Sequence, residues 1–339
     1  MLELVHWFQK NKRSLPWRDN PTPYRVWVSE VMLQQTRANV VIPYFERWMR
    51  KYPDVFSLAA ANLEEVIKDW EGLGYYSRVR NLHQGAKVIV EKHGGIIPSS
   101  KEELAKIKGL GPYTIGAILA FGFQRNEACV DGNVMRVLSR YYGIEEDITK
   151  PLVVKKIWKL AEGEVLNSTY HISEALIELG ATLCQKKPSC HDCPLKGGCI
   201  AHQLGKEEEI PFKGKKMIYT DLIRGVLILE YNGEFLVKKG EKGKIMADLY
   251  EFPYYEFKQK PNVSQMKKRI EKEFCEGQFI KAYSKKNQFF TRFRLDLYPF
   301  HFSFPQKKQI PGFEWLTAKE LLKKPFSSGH RKICSLFCT

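Results

Sequence analysis

Apolar residues recur three and four positions apart from the start of the chain to about residue 205, and alternation with period two is hard to find there. Leu63, Val66, Ile67 and Trp70 form one stripe, and Val79, Leu82, Ala86 and Ile89 form another; both have the spacing of a helix that buries one face. Asn62 with Glu65, and Ser100 with Glu103, each place a side-chain acceptor ahead of amides that a helix start leaves unpaired. Residues 1–205 are therefore expected to form an all-helical domain. The next stretch is charged and broken by Gly and Pro through Lys215 and Lys216, so residues 206–218 read as a linker. Beyond it, residues 226–229 and 235–237 flank Tyr231-Asn232-Gly233, and Asn-Gly between apolar runs signals a tight hairpin. Phe293, Leu295 and Leu297 alternate with Arg294, Asp296 and Tyr298, and Thr317 with Glu320 caps a late helix. Residues 219–339 are expected to be a second, α+β domain, which makes the chain multi-domain.

Within the helical half, a helix predicted to end near Lys108 is followed by Gly109-Leu110-Gly111-Pro112. The glycines permit a tight turn, and Pro112 fits the first turn of the next helix, where its missing N–H costs nothing. Such a turn offers backbone amides at a helix N-terminus, which suits a phosphate oxygen.

Charge and cysteine usage narrow the partners. The chain has 339 residues, with 54 Lys and Arg against 38 Asp and Glu, a net charge of +16. That excess attracts polyanions, and nucleic acid is the leading candidate. No basic segment followed by an apolar run and a cleavage site is visible at the N-terminus, and no apolar stretch is long enough to span a bilayer. A soluble, cytoplasmic protein, nucleoid-associated if bacterial, with no membrane partner is expected. Cys129, Cys275, Cys334 and Cys338 are scattered and fit reduced thiols. Cys184, Cys190, Cys193 and Cys199 instead cluster as C-x5-C-x2-C-x5-C, a donor set for one metal ion or cluster.

The Gly/Pro hairpin, followed by Val130-Asp131-Gly132-Asn133-Val134, resembles the helix-hairpin-helix DNA glycosylase superfamily. Leu15-Pro16-Trp17-Arg18, the run from Val28 to Thr36 and Gly72-Leu73-Gly74-Tyr75-Tyr76 look like its MutY-type adenine glycosylase branch. The resemblance covers about the first 200 residues and continues more weakly beyond them. It implies a helix-hairpin-helix glycosylase domain with an iron–sulfur loop at residues 184–199, then a Nudix-like (MutT-like) domain.

Cleaving a base from duplex DNA requires an extruded nucleotide, a proton for the departing base and negative charge beside a sugar of oxocarbenium character. Glu30 lies in an apolar segment where burial would raise its pKa, which suits an acid; Asp131, at a turn into a helix, suits the carboxylate that stays ionised. The resemblance assigns them the same roles and implies that Tyr113 and Asn133 orient the aspartate and the reacting centre. Related enzymes that also cut the strand carry lysine at position 113, so Tyr113 implies a monofunctional hydrolase that leaves an abasic site. Gln35 and Tyr75 match positions that wedge into the helix, Gly109 and Gly111 match the DNA-binding hairpin, and Arg18, Trp17 and Glu174 match the adenine pocket.

The cysteine spacing resembles the superfamily's [4Fe-4S] loop, although the family's first arm has six residues and this one has five, with Lys186 and Lys187 in it. Zinc, with His191 joining, is the alternative. The C-terminal domain resembles the MutT-like domain that recognises 8-oxoguanine; residues 270–277 keep acids without the spacing of a functional Nudix box, which implies recognition without nucleotide hydrolysis. The family's Phe-Ser-His loop has its nearest counterpart in Phe326-Ser327-Ser328-Gly329-His330, which makes Ser328 and His330 candidate contacts. The expected enzyme is a monomeric adenine glycosylase acting on double-stranded DNA with adenine opposite 8-oxoguanine or guanine. An endonuclease III-like glycosylase, a Nudix phosphohydrolase and a non-catalytic DNA-binding module are the competing readings.

Overall fold

Helices fill the chain up to the linker. In the computed structural model these are α1 (Leu2–Asn11), α2 (Pro23–Leu33), α3 (Ala38–Lys51), α4 (Val55–Ala60), α5 (Leu63–Asp69), α6 (Ser77–His93), α7 (Lys101–Ala105), α8 (Pro112–Ala117), α9 (Gly132–Tyr141), α10 (Pro151–Leu166), α11 (His171–Thr182) and α12 (Ile200–Gln203). The structure describes residues 1–214, 218–241, 243, 246–274, 276–290 and 292–338; Lys215 and Lys216 of the expected linker, and Cys275, lie outside them.

Both apolar stripes are buried, apart from half-covered Leu63. Ser100 caps α7 by accepting from the Glu103 amide at 3.2 Å, whereas Asn62 caps α5 through Glu64, one residue earlier than expected. One core joins α1, α9, α10 and α11 through Phe8, Val134, Leu138, Ile157, Leu176 and Leu179. It fixes the N-terminus of α9, where Asp131 sits, against the helix that carries Glu174. α2 is buried almost all round, from Tyr24 to Met32, so a carboxylate at position 30 has little water around it.

The remaining elements are β1 (Thr220–Tyr231), β2 (Glu234–Lys239), β3 (Tyr250–Glu251), β4 (Tyr254–Phe257), α13 (Val263–Glu273), β5 (Gln278–Ala282), β6 (Lys286–Phe290), β7 (Phe293–Ser303), β8 (Glu314–Thr317), α14 (Ala318–Lys323) and α15 (Ser328–Cys334). The strands form one sheet along the path β3-β2-β1-β7-β5, in which β4 pairs β1, β6 pairs β7 and β8 pairs β2. The central β1–β7 pair is parallel and runs from Thr220 opposite Phe293 to Glu230 opposite Ser303. Asn232 and Gly233 have φ of 47° and 81°, which gives the expected hairpin its left-handed turn.

Period two sorts the side chains onto two covered faces. Val226, Ile228, Leu295 and Leu297 meet Leu321 of α14 and Ile333 of α15, while Leu227, Leu229, Phe300 and Phe302 meet Met266 and Ile270 of α13. The Thr317–Glu320 capping box is present in both directions. Glu271 and Glu273 lie two apart on α13, a spacing that puts them on different faces of the helix.

The chain divides into two compact units, and the division does not follow chain order. One is Met1–Ala60 with Asn81–Lys216; the other is Ala61–Arg80 with Met217–Thr339. Residues 61–80, expected inside the domain 1–205, group with the C-terminal part because Glu64 and Glu71 are ion-paired to Lys239, Lys324 and Arg331.

Candidate active site

A cavity of about 1070 Å³ opens in the helical unit among α2, α8, α11, the start of α9 and the segment around Arg18. Glu30, Tyr113, Asp131 and Asn133 line it together with Trp17, Arg18, Gln35 and Glu174. Eight of the expected site residues, drawn from five stretches of sequence, therefore share one space.

Glu30 is 6% exposed, and its Oε2 accepts a hydrogen bond of 2.5 Å from the Tyr113 hydroxyl. Burial pushes its carboxyl up to about 7; the nearby Asp131 and Glu174 add to the rise, while the Tyr113 hydroxyl and Arg18 oppose it. A carboxyl in this state holds a proton through much of the neutral range.

Asp131 has a different environment. It is the N-cap of α9: Oδ1 accepts from the amides of Asn133 and Val134, both at 2.8 Å, and Oδ2 accepts from Asn133 Nδ2 at 2.7 Å. Burial raises its pKa above the ordinary 3.8, and these bonds oppose the rise. The helix N-terminus also favours the anion. The cavity thus holds two carboxyl groups in unlike states, one beside a single phenol and one beside three N–H donors.

Arg18 is clamped by carboxylates, with Nε 2.5 Å from Glu174 and Nη2 2.9 Å from Glu178. Glu178, which sequence reasoning missed, is fully buried and also takes Arg13 at 2.7 Å. Burial alone would raise its pKa, but the two guanidinium groups hold it below the usual range. Trp17 packs edge-on against Phe45 with ring centroids 5.5 Å apart while contributing to the cavity wall. Gln35 is exposed at the end of α2 with φ of 56°. Gly109 has φ of +94°, and a Cβ there would lie 2.6 Å from that of Asn81, so the turn requires glycine; Gly111 is the N-cap of α8.

The cysteine loop adjoins α9 through Arg136 and Arg140. Cys184, Cys190, Cys193 and Cys199 line one small pocket with Arg140, His202 and Glu207. All four are free thiols. Burial raises the pKa of Cys190 to about 11, with Glu207 and the other cysteines adding to it. Four soft donors crowded in this way fit a bound metal or cluster, whose positive charge would stabilise the thiolates. His191 does not join them: its side chain is 85% exposed and pairs with Asp192. His202 is the imidazole near Cys190, where the ligand atoms of Cys190, His202 and Glu207 lie within 4.8 Å of one another.

Two arginines were also missed. Arg136 donates to Asn133 Oδ1 at 2.9 Å and to the Cys184 carbonyl at 2.8 Å, and Arg140 reaches Cys184 Sγ at 3.2 Å and the Gln185 carbonyl at 2.6 Å. Their spacing of four residues puts both on one helix face, a signal that was readable. Lys186 and Lys187 are exposed.

In the C-terminal unit Tyr75 is 44% exposed, and Ser328 is exposed at the start of α15. His330 corrects the sequence expectation. It is 2% exposed and stacked on Phe252, and its Nδ1 accepts the Phe252 amide at 3.0 Å. Burial drives its pKa down to about 3, with Arg224 and Lys238 adding to the effect. Two residues along α15 from Ser328, the helix has turned His330 into the core. Among the described residues, no helix is long and apolar enough to cross a membrane.

Residues 28–162 match the family model of the HhH-GPD superfamily base excision DNA repair protein, and residues 225–336 match the NUDIX domain. The structure of a thermostable thymine-DNA glycosylase aligns with a TM-score of 0.54 at 25% identity, covering 60% of this chain and 94% of that one. A trapped endonuclease III–DNA covalent intermediate aligns with a TM-score of 0.50 at 24% identity, covering 60% and 93%, and shares the fold. Fold and cavity thus define a helix-hairpin-helix base-excision repair domain joined to a NUDIX domain.

The relatives in sequence are narrower in kind. An adenine DNA glycosylase of Buchnera aphidicola subsp. Acyrthosiphon pisum is 35% identical over 277 residues, 81% of this chain and 79% of that protein. Those of Rattus norvegicus and Homo sapiens are 44% and 42% identical, covering 59% and 62% of this chain and 41% of each relative. The chain belongs to the adenine DNA glycosylase family.

Proposed function

We propose that this chain hydrolyses the N-glycosyl bond of adenine mispaired with 8-oxoguanine or guanine in double-stranded DNA. The observation that carries the reading is a carboxyl whose pKa is about 7, Glu30, sharing one cavity with Asp131. The flipped adenosine enters that cavity, and unstacking is offset by contacts in the pocket. Trp17 and the Arg18–Glu174 pair bound the adenine, and the hydroxyl of Tyr113 holds the Glu30 carboxyl in place. Glu30 gives its proton to the adenine ring as the glycosidic bond breaks. Asp131, held by Asn133 and the start of α9, stabilises the cationic sugar until water adds to it and an abasic site remains. Tyr113 has no amine with which to form a Schiff base, so the strand stays intact.

Gln35 and Tyr75 fill the gap left by the flipped base, and the Gly109–Gly111 turn receives a phosphate. Ser328 is the candidate contact to the oxidised base; buried His330 is not. The four clustered cysteines would hold a [4Fe-4S] cluster, which stabilises the loop when bound; zinc content distinguishes the alternative. The protein would act as a monomer wherever genomic DNA is held, in the cytoplasm at the nucleoid in a bacterium.

The test uses duplexes carrying adenine opposite 8-oxoguanine, guanine or thymine. Free adenine and strand scission are measured before and after alkali. Adenine release from the two purine mispairs, with scission only after alkali, is expected. Scission before alkali would favour an endonuclease III-like lyase, and no release would overturn the proposal.

A further inference from the structure

The turn that carries Tyr75 belongs to the C-terminal unit, and two carboxylates bind it there. Glu71 takes a forked pair from Arg331 of α15, Nε to Oε1 at 2.5 Å and Nη2 to Oε2 at 3.2 Å, and Lys68 reaches Oε2 at 2.6 Å. The Arg331 and Glu71 side chains are only 20% and 12% exposed. Arg331 also donates to the carbonyls of Leu321 and Lys324, and it lies over the Phe326 ring at 4.8 Å. Two turns earlier, Glu64 accepts from Lys324 at 2.8 Å and from Lys239 at 2.7 Å. On the far side of the turn, the Tyr76 hydroxyl donates to the Phe326 carbonyl at 3.2 Å and Arg80 donates to the Ala247 carbonyl at 2.8 Å.

The turn itself is over-determined. Gly72, Gly74 and Tyr75 have φ of 106°, 68° and 47°, the last a left-handed conformation that a tyrosine seldom adopts. Trp70 Nε1 and Arg78 both donate to the Gly74 carbonyl, at 3.1 and 3.2 Å, and Arg78 also donates to that of Leu73 at 2.9 Å. Strain of this kind persists where the surroundings enforce it, and it presents the Tyr75 ring outward. Phe326 and Arg331, which receive or send these contacts, bracket Ser328 in sequence.

We infer that Glu71 and Arg331 are positioning residues for reading the base opposite adenine: their forked pair makes the Tyr75 turn and the Ser328 turn one rigid element that meets the duplex together. The inference rests on the assignment of Tyr75 and Ser328 as DNA contacts in the proposed function. Two loops free to move separately would each engage DNA without reporting on the other. Joined through Arg331 and the Phe326 carbonyl, they engage as a unit, and a poor fit at one lifts the other.

The test uses the full chain and duplexes with 2-aminopurine beside the base opposite adenine. It follows the fluorescence change on binding and the ratio of single-turnover release rates, 8-oxoguanine over guanine. Arg331→Met and Glu71→Gln should each lower that ratio about tenfold and abolish the part of the fluorescence change that Tyr75→Ala abolishes. Combining Arg331→Met with Tyr75→Ala should be no worse than either alone, and Arg331→Lys, which keeps a cation beside Glu71, should recover part of the ratio. Multiplicative losses in the double variant, or a single variant with unchanged ratio and fluorescence, would overturn the inference. If Arg331→Met fails to fold, a Glu71→Gln variant with wild-type melting and an unchanged ratio and fluorescence overturns it equally. A wild-type protein that releases adenine equally from both duplexes refutes the opposite-base reading itself; the fluorescence comparison then decides the coupling alone.

Discussion

Replacing Glu30 by glutamine should abolish adenine release and, above neutral pH, make the protein more stable. Glu30 keeps its proton up to about pH 7 when folded, against an ordinary 4.5. Between those values the folded chain holds a proton that the unfolded chain has lost, so stability falls as pH rises through the interval and is level beyond it. At about 1.4 kcal/mol for each tenfold change in proton affinity, the burden reaches about 3 kcal/mol by pH 8. A glutamine side chain carries no charge to desolvate, and its amide oxygen can accept the Tyr113 hydroxyl in place of Glu30 Oε2. Urea unfolding of both proteins at pH 5 and pH 8 gives the comparison, with the variant's advantage appearing at the higher pH. In the wild type, single-turnover release should fall above about pH 7 as the acid is lost, and again on the acidic side as Asp131 takes up a proton above its ordinary 3.8. Equal stability differences at both pH values, or full adenine release by the variant, would refute the assignment of a buried, protonated acid.

Asp131→Asn should lose activity with little change in stability, because asparagine still caps α9, whereas Asp131→Ala should cost a further ~1 kcal/mol in unfolding free energy. The Tyr113 hydroxyl lowers the Glu30 pKa, so Tyr113→Phe should move the alkaline limb of the pH–rate profile upward, and Tyr113→Lys should add scission before alkali with a borohydride-trapped adduct. Cys199→Ser should reduce bound iron, or zinc if zinc is the ion, along with the thermal midpoint of the helical unit; unchanged metal content and melting would remove Cys199 from the donor set.

What the sequence made legible is what local chemistry writes. The helical stripes, the Ser100 cap, the Thr317–Glu320 box and the Asn232-Gly233 hairpin each depend on residues a few positions apart, and each is present. The clustered cysteines stand out by their spacing, and the Glu30–Asp131 pair by local context and family resemblance. Partners far apart in the chain were not legible. Residues 61–80 carry a helical stripe suited to the first domain, but Glu71 and Arg331 are separated by 260 positions, and no local pattern announces their pairing. His330 failed for the complementary reason: a Ser-His motif gives residue identity, while the first turn of α15 sets which way each side chain faces, and this one stacks on Phe252.

The same distinction separates carboxylates that residue type alone leaves alike. Glu30 and Asp131, which line the cavity, and Glu178, which holds Arg18 from behind it, differ by what faces them. Glu178 meets two guanidinium groups, one from a residue 165 positions away, and is held ionised. Asp131 meets amides and a helix N-terminus, which offset part of its burial. Glu30 accepts from the Tyr113 phenol, its one hydrogen-bond partner among the described residues, and the anions nearby push it the same way as burial does. One functional group thus finds three environments, one that holds the anion, one that partly favours it and one that favours the neutral acid, with the order set by which donor reaches which oxygen. Arg18 matters to that order: with its guanidinium committed to Glu174 and Glu178, it opposes the rise in the Glu30 pKa less than the Tyr113 hydroxyl does. Were the Arg18 guanidinium redirected to Glu30, the Glu30 pKa would fall further, and under the proposed mechanism adenine release would slow at neutral pH.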